Sequence, residues 1–176
     1  SGAVPGNFLP SKMEQGLEVE FLTKTPALAQ EIAPFTGPTP QADRLRAFIV
    51  SHANLVEKGN ELSSGGDLNS EIVDATISVL ATIVVEFKNK GTDIQITLTG
   101  GNDKYHQTLD SNSRHKRGNV MDFTVFPNNG ATIRDVETIL QRFVIGNNNK
   151  FRYLNEYDNP TKHATGKHFH MSWGLG

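Results

Sequence analysis

The sequence predicts an α+β domain in which helices pack against a small antiparallel sheet. Apolar residues recur at helical spacing through two long segments between Pro40 and Gly91. Beyond Gly91, period-two segments alternate with one further helical pattern, giving the order strand, strand, helix, strand, strand. There is no internal repeat, and 176 residues suit one ordinary core and are short for two. A hydrophobic content of 36% supports a folded chain rather than a disordered one.

Each element has its own signal. Six of the eight prolines fall in the first 40 residues, and Pro26, Pro34, Pro38 and Pro40 bracket segments too short for a long element. Residues 1–39 therefore read as a proline-rich arm, with one short strand in GLEVEFL, and residues 40–176 as a single domain to which the arm belongs. Leu45, Phe48, Ile49, His52, Leu55 and Val56 fit a helix of about four turns, with Gly59 just beyond it. His52, on its apolar side, reads as a packing or hydrogen-bonded histidine far from any chemistry. A second helix, capped by Asp67 or Ser70, carries Leu68, Ile72, Val73, Leu80, Ile83, Val84 and Phe87. Its middle, ISVLATIVVEF, is rich in β-branched residues, but its length and 3–4 spacing favour the helix.

TDIQITLTGG puts Ile94, Ile96 and Leu98 on one face of a strand, and NVMDFTVF is a second strand closed by PNNG. Thr132 and Asp135 approach a capping box, opening a helix through Ile133, Val136, Ile139, Leu140 and Phe143 that stops at Gly146 and the NNN loop. KFRYLNEY and KHFHMSW supply the last two strands.

Composition excludes several function classes. The formal charge is −2 with interspersed signs, which offers no basic surface for nucleic acid. No 18-residue apolar run predicts a membrane span, and SGAVPGNFLP has neither the basic nor the apolar region of a signal peptide. The chain has no cysteine, so any metal must be held by His, Asp or Glu.

Five of the six histidines lie between positions 106 and 170, and two pieces stand out. In SRHKRGNVMDF, Gly118 permits a turn, so that His115 in a loop and Asp122 in the following strand point to one spot. In HFH, His168 and His170 share a strand face while Phe169 turns into the core. Two imidazoles and one carboxylate suit Zn²⁺ with a fourth place for water, and the spare histidine of the pair can act as a base. The competing reading makes Asp122 a turn cap or the partner of an arginine. Against it, a charge at a buried strand position costs several kcal/mol unless paired or coordinated.

SRHKRGNVMDFTV followed by GKHFHMSWG resembles the zinc D-Ala-D-Ala carboxypeptidase and endopeptidase family, related to lysostaphin-type and hedgehog-type zinc folds. Members carry Ser-x-His-x-x-Gly-x-x-x-Asp and a closing His-x-His or Glu-x-x-His. The upstream ITLTGG resembles a strand that reads ITSGYR in many of them. The resemblance spans residues 92–174, slightly under half the chain.

It implies a peptidoglycan peptidase with His115, Asp122 and His170 as zinc ligands and His168 contacting water or the transition state. It also implies a hedgehog-like or D-Ala-D-Ala peptidase-like antiparallel sheet. The implied setting is extracellular, periplasmic or virion-associated, as for phage endolysins and tail-borne lysins, with the arm available to a phage particle or another protein. The alternative is a non-catalytic zinc module that binds cell wall or serves as a virion part.

Two departures from the pattern matter. Lys167 stands where the Glu-x-x-His branch has its general base, which leaves Glu156 and Asp158 as the candidate carboxylates. Asn102 and Asp103 stand where such enzymes often place a carboxylate-binding arginine, with Arg114, Lys116, Arg117 and Lys104 as substitutes. His106 and His163 read as cleft-lining or solvent-facing. Tyr153 and Tyr157 read as oxyanion donors sharing a strand face, or as packing residues.

Overall fold

The structure is a computed structural model, and it describes residues 35–59, 62–104, 117–160 and 166–174. Among these described residues, three helices and five strands follow in the order α1 (Pro40–Val50), β1 (Leu55–Glu57), α2 (Ser70–Asn89), β2 (Gln95–Gly100), β3 (Val120–Phe126), α3 (Gly130–Gly146), β4 (Phe151–Asn155) and β5 (Phe169–Trp173). The strands form one sheet in the order β1-β2-β3-β5-β4. The α+β class predicted from the patterning holds, but the sheet is mixed rather than antiparallel, because β1 runs parallel to β2.

That difference traces to the first helix, which is shorter than the pattern predicts. Ser51 Oγ donates to the Phe48 carbonyl at 2.6 Å, and His52 Nδ1 lies 3.0 Å from the same oxygen, so these side chains take up a carbonyl of the last turn. The chain then turns, and Leu55 and Val56 pair with Ile96 and Thr97. In so short a stretch the helical and strand periods place the same two apolar residues equally well, and pairing with β2 decides. His52 sits just past the helix with its ring 4.4 Å from that of Phe48, as a packing histidine.

The helix caps also differ from expectation. Neither Asp67 nor Ser70 caps α2; Asn69 occupies that position and makes no side-chain cap bond. Asp67 instead accepts from the Gln41 and Ala42 backbone N–H groups at 3.1 and 3.0 Å, and so caps α1 from across the chain. In α3 the cap is Asn129, whose Oδ1 accepts from Thr132 N–H at 2.9 Å. Asp135, the expected partner in a box, pairs at 2.6 Å with Lys90, the C-cap residue of α2.

The helices cover one face of the sheet. Ile96, Leu98, Met121, Phe123, Val125, Phe169 and Met171 point into a core shared with Ile72, Leu80 and Ile83 of α2 and Val136 and Leu140 of α3. Phe169 is fully buried, stacked 5.3 Å from Phe123. By strand alternation, the residues between these lie on the opposite face: Thr97, Asp122, Thr124, His170 and Ser172. One strand pair thus carries an apolar anchor on one side and polar chemistry on the other.

Among the described residues, no helix is long and apolar enough to cross a membrane.

A candidate metal centre on the polar face of the sheet

Register builds the site. Asp122 on β3 lies directly opposite His170 on β5, and their side chains share the polar face. His170 Nδ1 and Asp122 Oδ1 are 2.7 Å apart. On the far side of Asp122 the register partner is Gly100, at an irregularity in β2, so β2 itself presents no side chain there. The turn into β3 needs Gly118, whose φ of +71° is left-handed. A Cβ at that position would fall 2.7 Å from the Asp67 carbonyl oxygen.

His168 lies immediately before β5 and is held from three directions. Its Nδ1 is 3.0 Å from the Gly166 carbonyl oxygen, which can only accept, so Nδ1 carries the hydrogen. Its Nε2 lies 2.6 Å from Glu156 Oε2 and 3.7 Å from Asp122 Oδ2. Glu156 is set there by the sheet, because its backbone N–H donates to the His168 carbonyl at 3.0 Å and continues the β4–β5 ladder by one residue. A ring nitrogen and a carboxylate oxygen at 2.6 Å are at the distance of a charge-assisted hydrogen bond. The same holds for His170 and Asp122.

All four side chains are largely withdrawn from water while the two rings keep some exposure: 7% for Glu156, 12% for Asp122, 14% for His168 and 17% for His170. Asp122, His168 and His170 each offer a ligand atom, and these atoms lie within 4.8 Å of one another. Two imidazole nitrogens and a carboxylate oxygen are donors that zinc accepts.

Of the residues singled out in the sequence, the structure brings together Asp122, His168, His170 and Glu156. It places Asp158 elsewhere: the Asp158 carboxylate accepts from Asn155 Nδ2 at 2.9 Å, and the same amide reaches Glu137 on α3. His115 lies outside the described residues, as do His106, His163, Arg114, Lys116 and most of the arm.

The two tyrosines are packing residues. Tyr153 donates its hydroxyl to Glu137 at 2.9 Å, on the helix side. Burial, then the Glu137 hydrogen bond, push its pKa up to about 12. Tyr157 lies past the end of β4, and its hydroxyl accepts from the Val125 backbone N–H at 3.0 Å, inside the core. Lys167 is exposed, and Asn102 and Asp103 are buried. The Gly166 carbonyl that orients His168 could not be read from the sequence, because any residue supplies a carbonyl.

Comparison of the chain with protein-family models, with curated proteins and with solved structures finds no match in any of the three. The geometry itself supports an α+β domain that carries a compact Asp122–His168–His170 cluster able to bind a metal ion such as zinc.

Proposed function

We propose that the chain is a zinc-dependent hydrolase that cleaves peptide bonds in bacterial peptidoglycan stem or cross-link peptides. The observation that carries this reading is the cross-strand Asp122–His170 pair at 2.7 Å with the His168–Glu156 pair beside it at 2.6 Å. Asp122 and His170 would hold the ion, with His115 of the Ser-x-His-x-x-Gly-x-x-x-Asp motif as the third ligand. When bound, zinc supplies a Lewis acid and lowers the pKa of its water to about 7.

The other groups handle protons. The Gly166 carbonyl fixes the His168 ring and the tautomer that bears hydrogen on Nδ1. Nε2 then faces the Glu156 carboxylate, and the pair holds a proton at that atom, ready to pass it to or from the reacting centre. Glu156, coming from the neighbouring strand, supplies the carboxylate whose usual place is taken by Lys167. Action on cell wall implies an extracellular, periplasmic or virion-associated setting, in which residues 1–39 can meet a phage particle or another protein.

One observation favours the non-catalytic alternative. His168 Nε2 is 3.7 Å from Asp122 Oδ2, so His168 and Glu156 can join Asp122 and His170 as ligands and close the coordination shell.

Purified sacculi of several cross-link types separate the two readings. The zinc-loaded chain is expected to release new amino termini, and His170→Ala or a chelator should abolish that release. Zinc bound at one per chain with no new termini from any wall type would reject the peptidase and leave a cell-wall-binding or virion module.

A further inference from the structure

On the β5 side of Asp122 the sheet ends, among the described residues, in β4. Leu154 on β4 is the register partner of His170, and Arg152 is the partner of Ser172, so both project from the polar face. Leu154 is 48% exposed. A single exposed leucine is ordinary by itself. This one stands at the end of the row Gly100–Asp122–His170–Leu154, and two residues along from it Glu156 meets His168.

Arg152 is exposed as well. Its Nε donates to the Asn149 carbonyl at 3.3 Å, and its terminal amino groups have no acidic partner among the described residues. It is a cation with unused donors on the face where Asp122 and Glu156 concentrate negative charge.

We propose that Leu154 and Arg152 form the substrate-recognition strip of this site. Leu154 receives an apolar side chain beside the reacting bond, and Arg152, whose Cα lies two strand residues (about 7 Å) along from that of Leu154, receives a carboxylate. The inference rests on the peptidase reading and narrows its substrate to extended peptides with an apolar residue and a free carboxylate one or two residues away. The guanidinium offsets repulsion between such an anionic peptide and the two site carboxylates, and its fork matches a carboxylate.

The test uses monomeric and cross-linked muropeptides, each with free or amidated carboxylates, on the zinc-loaded full chain. Arg152→Gln should raise KM about fivefold for the free-carboxylate forms and leave the amidated forms unchanged, while Arg152→Lys retains most of the effect. Leu154→Asp should raise KM about tenfold or more for every form, and Leu154→Met should stay near wild type. Both positions are exposed, so zinc stoichiometry and thermal stability should match wild type in all four variants. Unchanged KM in Arg152→Gln and Leu154→Asp, with wild-type cleavage intact, overturns the strip and leaves the peptidase standing. A wild-type chain that binds zinc and cleaves none of the four muropeptides overturns both.

Discussion

Replacing Asp122 with Asn separates the role of this residue in the fold from the role proposed for it in metal binding. Asp122 is 12% exposed at its side chain and accepts from His170 at 2.7 Å when no metal intervenes. Asn keeps the shape and one acceptor, so the apo protein exchanges a charge-assisted hydrogen bond for a neutral one and loses about 1 kcal/mol. For a chain of this size that lowers Tm by about 2–4 °C.

The metal-dependent part is larger. Zinc at about 100 times its Kd stabilises the native state by about 2.7 kcal/mol, or about 5–11 °C in Tm. An Asn that weakens zinc about 100-fold leaves about 0.4 kcal/mol at the same concentration, a rise of about 1 °C. Thermal unfolding of wild type and Asp122→Asn, each with chelator and with zinc, reads both effects. Equal zinc-induced rises in the two proteins would show that Asp122 holds no metal. No rise in wild type would remove the metal centre altogether.

Other substitutions test the scaffold. Asp67→Ala removes two charged cap bonds at 3.0 and 3.1 Å from the first turn of α1, and should cost about 2–3 kcal/mol in urea unfolding, with Asp67→Asn recovering part of it. A merely solvated Asp67 would leave the urea midpoint unmoved. Tyr153 has a folded-state pKa raised above its ordinary value of 10.0 to about 12. Its contribution is therefore fully present below pH 10 and is lost as pH rises toward 12, because the unfolded chain gives up that proton first. Tyr153→Phe should flatten the fall in urea midpoint between pH 10 and 12, and an unchanged slope would assign that fall to other groups.

Much of this arrangement was legible in the sequence. Period-two alternation in NVMDFTVF and HFHMSW set Asp122 apart from Phe123, and His170 apart from Phe169, and both strands form with those faces. The helical spacing of α2 and α3 was equally readable, because each buries a continuous stripe against the sheet. What failed were features decided by distant parts of the chain. Asp67 is a good cap by type, but the helix it caps lies 25 residues upstream, which no local pattern reveals. The strand at Leu55 depends on Ile96 being beside it, and spacing alone favoured helix. Glu156 and Asp158 were equivalent by position. The β4–β5 ladder runs one residue further and delivers Glu156 to His168, while Asn155 draws Asp158 toward the helix side.

The most direct test of the account is an anomalous-scattering map at the zinc edge, recorded from crystals of the zinc-loaded chain. The predicted result is one peak bound by Asp122, His170 and His115, with a position open to solvent and His168 still paired with Glu156. An empty map, or a peak closed by Asp122, His168, His170 and Glu156 together, would contradict a catalytic zinc centre.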